Sequence, residues 1–449
     1  MQPDPFDEFF RHAPPTWGLE PIREAWCALG PRYDVNQWRL PLPPWVHRSY
    51  DYGGAQAWDM LRHDLALAND RQPFCIYLHV PFCSRKCGFC DSYSFKLGAH
   101  IPERIAGYVE RLCYELQLWS AQGSLSRRPV STVHLGGGTP TYLGEAALAQ
   151  VIACCKACFA TSPATEWALE STVEALTPGM IETMHALGFR RLHLGVQSLQ
   201  DEVRTIIGRR RPAAEALERI AATLARGWIV SVDLVCGLPA QTLTGFVGDI
   251  EALIAAGVNG FSLYELLIYP QNRRWAERWG LTRRDHLTNY FTFMAGAQTL
   301  SAHGYTKNLF NHWADARDEN IYFTFPTRQE DLLAVGTIAD GVFGDFHYRH
   351  PPYTPYLKAA CGGLPGLEGG LRRTAFESWL QPLRTRVLSG HFDARQVPAL
   401  LDEWQAHGLI TCDAGGAHLT NSGSWFAGNM VHELTELLRP VFAGQVYSG

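Results

Sequence analysis

From Phe74 to about His303 the chain alternates between short apolar, β-branched runs and amphipathic stretches, and this alternation constrains the fold more than any other feature. The runs "FCIYLHV", "STVHL", "EWALES", "RRLHLGVQ", "IVSVDLV" and "GFSLYEL" are each followed by helical periodicity. The helical stretches lie near 102–121, in "GEAALAQVIACCKACF", "PGMIETMHALG", "PAAEALERIAATLARG" and "LTGFVGDIEALIAAG", and near 283–303. Each helix returns the chain to the edge where its strand began, so six such units in series predict a parallel sheet with right-handed crossovers. Periodicity alone fits a doubly wound open sheet and a curved, partly closed barrel equally well.

The flanks read differently. Residues 1–72 are rich in Pro and Trp ("PPTWGLEP", "NQWRLPLPPWVHRSY") with little periodicity, which predicts an arm wrapped over another surface. Beyond Tyr305 the repeat is lost. After about 370, "FESWLQPLRTRVLSG", "PALLDEWQAHGLI" and "AHLTNSGSWFAGNMVHELTELL" carry helix, helix, strand-pair and helix signals resembling a winged-helix-like module. Its Lys and Arg are few, which favours a structural lid over a DNA reader. With 449 residues the chain exceeds one compact core, and we divide it at 1–72, 73–304, 305–370 and 371–449.

A net charge of −5 gives no general attraction to nucleic acid or anionic membranes. No apolar run reaches spanning length, and the acidic, proline-broken "MQPDPFDEFFRHAPP" lacks the form of a signal peptide. The expectation is a cytoplasmic protein with neither nucleic-acid nor membrane partners. In a reducing compartment the twelve cysteines read as buried small residues or metal ligands rather than disulfides. Cys155 and Cys158, inside an amphipathic pattern, read as core packing.

"CSRKCGFCDSYSF" stands apart, placing Cys83, Cys87 and Cys90 directly after the first apolar run. Structural zinc takes four ligands, commonly from two CxxC pairs, and no second pair has matching spacing. A redox CxxC needs only two thiols. Three thiolates at CxxxCxxC fit a [4Fe–4S] cube with one iron left without a cysteine, open to a substrate.

With this spacing at the head of a β/α series, the chain resembles the radical S-adenosylmethionine (SAM) superfamily, and "YLHVPFC" resembles its oxygen-independent coproporphyrinogen III oxidase-like branch. The resemblance runs strongly over about 74–300 and loosely over 305–440. It implies an α/β fold, a partial (β/α)6 barrel with an N-terminal arm and the winged-helix-like C-terminal domain. It also implies a [4Fe–4S] cluster on Cys83, Cys87 and Cys90, whose open iron chelates the amino and carboxylate groups of S-adenosylmethionine. Tyr77 corresponds to the family's cofactor-bordering tyrosine. "HLGGGTP" supplies Gly136, Gly137, Gly138 and Thr139, where the missing Cβ atoms let backbone approach the methionyl ammonium. Glu170, Gln197, Arg209 and Asp233 fall at strand ends where the family has cofactor-contacting residues.

Members of the branch differ in what the radical does next. The oxidases remove carbon dioxide from a propionate and continue the cluster motif with a further cysteine, where this chain has Asp91 and Ser92. Haem chaperones on the same scaffold lack a long leading arm. The class C methyltransferases and cyclopropanases tolerate both features, so the resemblance implies transfer of a one-carbon unit from S-adenosylmethionine to an sp2 carbon of an aromatic or heteroaromatic metabolite. That chemistry uses two S-adenosylmethionine molecules and an electron donor such as flavodoxin or ferredoxin. The oxidase-type decarboxylase and the haem chaperone remain the alternatives. "LAVGTIADGVFGDFHYRH" resembles the glycine-rich segment that closes those active sites. Tyr264, Glu265, Tyr269 and His347 are the candidate bases by position.

Overall fold

The computed structural model describes residues 39–449 except 99, 282–285, 359–365, 394, 396 and 448–449, together with 23, 24, 27, 29 and 33. Most of the first half of the expected arm therefore lies outside the described residues. A thirteen-stranded sheet organises the chain. Its strands are β1 (Tyr52–Gly53), β2 (Phe74–Val80), β3 (Val130–Gly137), β4 (Glu166–Ser171), β5 (Arg191–Gln197), β6 (Ile229–Cys236), β7 (Gly260–Glu265), β8 (Thr306–Leu309), β9 (His312–Ala314), β10 (Asp331–Val335), β11 (Asp340–Phe343), β12 (Phe346–Arg349) and β13 (Gly369–Arg372). Their spatial order is β1-β13-β12-β11-β10-β2-β3-β4-β5-β6-β7-β9-β8, with no closing pair between β1 and β8.

Strands β2 to β7 are parallel neighbours, as the six-fold alternation requires. The crossover helices are α2 (Ile101–Ser120), α3 (Glu145–Cys158), α4 (Pro178–Leu187), α5 (Asp201–Ile207) followed by α6 (Ala213–Leu224), and α7 (Leu243–Ala255), with α8 (His286–Ala302) after β7. Local chemistry sets their ends. Thr177 accepts a hydrogen bond from the Met180 N–H beside Pro178 at the first turn of α4, and Gly188 at φ 103° ends it. Thr242 caps α7 in the same way through the Gly245 N–H. The helices pack side by side, α2 on α3, α3 on α4, α4 on α6 and α7 on α8.

Alternation along the strands sorts the two faces. Leu78, Leu135, Leu169, Leu192, Leu194, Val232, Leu234 and Leu263 are fully buried under the helices, each contributing roughly 1.5–3 kcal/mol. The intervening positions, Tyr77, His134, Glu170, His193, Asp233 and Ser262, share the other, inner face.

Three features go beyond the sequence reading. The stretch expected to run as an arm carries a helix, α1 (Gly54–Leu67), whose Ala57, Trp58, Leu61 and Leu65 are buried, with Trp58 edge-on to Trp119 at 4.7 Å. A seventh parallel strand, β10, pairs with β2 and carries an antiparallel extension through β11, β12 and β13. Between β9 and β10 the chain crosses the inner face, stacking Tyr322 on His134 at 4.2 Å and on Tyr77 at 5.1 Å. The buried Asp318 anchors this crossing through Arg191 (2.5 Å), His312 (3.0 Å) and Ser231 (2.8 Å).

The C-terminal region is helical around a small three-stranded sheet, His391–Phe392, Gly416–Leu419 and Ile410–Asp413. It begins with α9 (Ala375–Leu388), started by a capping box between Thr374 and Glu377, and ends with α10 (Ala427–Tyr447).

Candidate active site

Parallel strands end on one rim, and the segment following β2 is pinned there. Phe82 and Cys83 pair with Phe95 and Lys96 in a two-residue ladder, closing the loop that carries Cys87 and Cys90. Within the loop Cys90 N–H donates to Cys87 O at 3.2 Å, and Gly88 N–H donates to Ile207 O at the end of α5. A Cβ on Gly88 would lie 2.1 Å from the Trp275 ring, so only glycine admits this approach. Asn272 Nδ2 holds Phe89 O at 2.9 Å.

Cys83, Cys87 and Cys90 are half-buried and line one cavity of about 260 Å3 together with Gly137, Gly138, Thr139, Glu170, Gln197, Arg209 and Asp233. Burial pushes the Cys87 thiol up; the Arg209 charge works against this and the neighbouring Cys90 and Cys83 add to it. Among the described residues no three His, Cys, Asp or Glu side chains converge on a point that would hold a single metal ion. A cubane takes its thiolates on separate irons, and three thiols lining one cavity suit it.

The glycines make room beside the thiols. Gly138 N–H donates to Val80 O at 2.7 Å and Thr139 N–H to Phe82 O at 2.8 Å, pressing the loop after β3 against the cysteine segment. A Cβ on Gly138 would meet Phe82 O at 2.6 Å, and Gly137, at φ 109°, would drive one into the His79 ring. On Gly136 it would sit 2.7 Å from Glu170 Oε1 and 2.9 Å from Tyr77 Cε2. Tyr77 thus backs the glycines without lining the cavity; its hydroxyl meets His79 Nδ1 at 3.0 Å.

Carboxylates and imidazoles alternate along the inner face. Glu170 takes His134 Nε2 at 3.0 Å and the Gly137 N–H at 3.2 Å. Burial alone would raise its carboxyl, yet the His134 hydrogen bond and the His134 and His193 charges hold it below its ordinary value. His193 Nε2 lies 2.6 Å from Asp233 Oδ1. Burial opposes the imidazolium, but the Asp233 and Glu170 carboxylates outweigh it and raise His193 above its usual value. Gln197 sits at φ 70° on an irregularity in the β5–β6 pairing. Its Oε1 and the Nε of Arg209 are buried without a hydrogen-bond partner among the described residues. Arg209 Nη1 meets Glu174 Oε2 at 3.3 Å. Two unsatisfied buried polar atoms beside three thiols are groups that await a polar ligand.

The expected bases are dispersed. Tyr264 faces inward, where burial and Asp233 push its hydroxyl above the ordinary range. Glu265, one residue on, faces the helices and accepts from Asn289 Nδ2 at 2.9 Å. Tyr269 lies beyond the end of β7 in the turn closed by Asn272, whose Oδ1 accepts its N–H at 2.8 Å. His347 stands on β12 against Trp45, ring centroids 4.9 Å apart, in a different cavity of about 960 Å3. Sequence reading passed over His193, although the alternation in "RLHLGVQ" sets it on the face of Gln197.

A family model described as the radical SAM superfamily matches residues 77–253. The heme chaperone HemW of Synechocystis sp. is 31% identical over 337 residues, covering 69% of this chain and 80% of that protein. The chain belongs to the radical SAM superfamily. Its cofactors are that family's [4Fe–4S] cluster and S-adenosylmethionine, which the three thiols and the polar wall of the cavity fit. Anaerobilin synthase of Escherichia coli O157:H7 is 24% identical over 406 residues, covering 86% of this chain and 88% of the relative. The match to the Mycobacterium tuberculosis HemW, at 34% identity, spans only 50% of that protein's length. Among solved structures, the E. coli coproporphyrinogen III oxidase HemN superposes with a TM-score of 0.75 at 19% identity, over 90% of this chain and 96% of that one, a likeness of fold. No described helix is long and apolar enough to cross a membrane.

Proposed function

We propose that this radical SAM enzyme acts on a tetrapyrrole. What supports the reading is that relatives matching most of the chain carry names drawn from tetrapyrrole chemistry, heme and a bilin among them, while the thiols and glycines gather at one rim. When bound, the cluster and S-adenosylmethionine supply reductive cleavage of a sulfonium and abstraction of a substrate hydrogen atom. The chain's own groups orient the cofactor. Glu170, held ionised, offers an anion to an ammonium or a ribose hydroxyl, and Gln197 Oε1 offers a free acceptor. Arg209 offers an unused N–H to a carboxylate. Tyr77, Tyr322 and His134 stack on one another, and His134 holds Glu170 in place.

For the fate of the bound tetrapyrrole, the oxidase-type decarboxylase and the haem chaperone are the first readings, since heme and coproporphyrinogen name the relatives. One-carbon transfer is the second, favoured by Asp91 and Ser92, which replace a further cysteine and line the cavity. Anaerobic incubation of the reconstituted protein with reductant, S-adenosylmethionine and either coproporphyrinogen III or haem tests the proposal. 5′-Deoxyadenosine formation should depend on the tetrapyrrole. Carbon dioxide marks decarboxylation, S-adenosylhomocysteine marks one-carbon transfer, and haem bound and handed on without cofactor consumption marks the chaperone. If neither tetrapyrrole binds or stimulates 5′-deoxyadenosine formation, the proposal is wrong.

A further inference from the structure

The larger cavity, about 960 Å3, lies on the same face of the sheet as the polar row. Leu332, Val342, His347 and Leu371 are register partners across β10, β11, β12 and β13, and all four line it. Leu332 stands two residues before Ala334, the partner of Tyr77, which fixes the face. Trp45, from the segment before α1, forms part of another wall, and one side of α9 closes the cavity through Ser378, Gln381, Pro382 and Thr385.

All the carboxylates of this cavity are engaged in ion pairs, whereas two of its arginines are not. Every carboxylate lining it already has an arginine: Asp64 and Asp345 share Arg372, Glu330 has Arg328, Asp331 has Arg128 and Asp340 has Arg349. Of the four lining arginines, Arg48 is paired with Glu377 and Asp51, and Arg349 with Asp340. Arg373 and Arg386 form no ion pair within 4 Å among the described residues. Arg373 lies over the Trp45 ring at 5.5 Å and gives one N–H to Gly344 O at 2.6 Å, while its Nε is buried without a partner. Ser378 Oγ on the same wall is likewise buried and unpartnered. His347 adds no positive charge, since burial and Arg373 depress its pKa to about 3. Asp345, Glu377 and Asp331 act on the Arg373 charge from farther off, and Asp393 acts with Arg386; what the two guanidiniums offer is N–H donors outside any ion pair, and beside an indole face and an apolar row these suit a large, flat, apolar molecule bearing two carboxylates.

We propose that Arg373 and Arg386 bind two carboxylates of the tetrapyrrole in this cavity, with its macrocycle against Trp45 and the Leu332–Val342–His347–Leu371 row. The inference rests on the tetrapyrrole reading and adds the residues that select its acidic side chains. It also gives the C-terminal region a role in enclosing substrate.

Fluorescence titration of the full-length protein with mesoporphyrin IX and with its dimethyl ester tests it, because the ester keeps the ring and removes both charges. Wild type should prefer the diacid by about tenfold or more, and Arg386→Gln and Arg373→Gln should each weaken the diacid about tenfold while leaving the ester unchanged. Arg386 is exposed on α9, so its replacement keeps the test sound even if Arg373→Gln disturbs folding, which thermal melts would reveal. Diacid binding by Arg386→Gln at wild-type strength, or a wild type that does not distinguish acid from ester, overturns the site while leaving a tetrapyrrole substrate standing. Failure of wild type to bind either porphyrin removes the tetrapyrrole reading, and the site with it.

Discussion

Adding a single methyl group at Gly136 tests whether the glycine run is shaped for a ligand. In Gly136→Ala the new Cβ would lie 2.7 Å from Glu170 Oε1, 2.8 Å from its Cδ and 2.9 Å from Tyr77 Cε2. Comfortable carbon contacts begin near ~3.5 Å, so one neighbour must retreat by more than half an ångström. Tyr77 has little freedom, being stacked on Tyr322 and hydrogen-bonded to His79. Glu170 is the softer partner, and moving it breaks the hydrogen bonds from His134 and the Gly137 N–H. Overpacking of this kind costs about 1–3 kcal/mol, which is roughly 5- to 150-fold in S-adenosylmethionine affinity if the carboxylate moves from its binding position. The assay is anaerobic equilibrium binding with iron content measured in parallel. Gly107→Ala, on α2 with nothing within 4 Å of its Cβ, serves as the control and should bind normally. Wild-type affinity in Gly136→Ala, with the cluster intact, would refute the idea that Glu170 must hold this position for the cofactor.

The buried charges give further expected outcomes. Glu115 is fully buried and receives Tyr356 Oη at 2.5 Å and Trp119 Nε1 at 3.0 Å, with His350 Nε2 2.5 Å away, joining α2 to the segments after β12. Glu115→Gln leaves His350 without its counter-charge, and denaturant unfolding should show a loss of about 3–5 kcal/mol; a loss under about 1 kcal/mol would mean the pair is not ionised. The inner face should also shape stability against pH. Glu170, depressed when folded, stabilises above its unfolded pKa near ~4.3 and loses that contribution as pH falls through the lower folded value. His193, raised when folded, stabilises fully below its unfolded pKa of about 6.5 and loses that contribution as pH rises through the folded value. Melting temperatures should therefore fall more between about pH 6 and pH 9 in wild type than in His193→Gln, and parallel curves would contradict the His193–Asp233 ion pair.

How legible the molecule was in its sequence differs by region. The strands from β2 to β7 and their crossovers could be read because apolar runs and 3.6-residue periodicity are local signals. The cysteine trio and the glycine run could be read because their spacing is itself the chemistry. The pairing of β10 with β2 could not, since "DLLAV" meets "FCIYLHV" from far along the chain and neither segment names the other. Helix α1 was hidden among Pro- and Trp-rich surroundings, though Ala57, Trp58, Leu61 and Leu65 do recur at helical spacing. His193 escaped because a polar residue alternating along a strand ordinarily signals a solvent face, whereas here the alternating face turns inward. The larger cavity draws on β10–β13, α9 and the segment around Trp45, pieces distant in sequence whose unpaired arginines emerge only when all the ion pairs are counted.

The central claim is that Cys83, Cys87 and Cys90 together carry a [4Fe–4S] cluster that cleaves S-adenosylmethionine. Anaerobic reconstitution followed by iron and sulfide analysis, with single Cys→Ala variants alongside, measures it directly. Wild type should be brown, contain iron and sulfide in equal amounts, and form 5′-deoxyadenosine on addition of reductant, S-adenosylmethionine and the tetrapyrrole; each variant should lose both the cluster and the product. Colourless wild type, or a Cys87→Ala protein that keeps its iron and its 5′-deoxyadenosine formation, would contradict it.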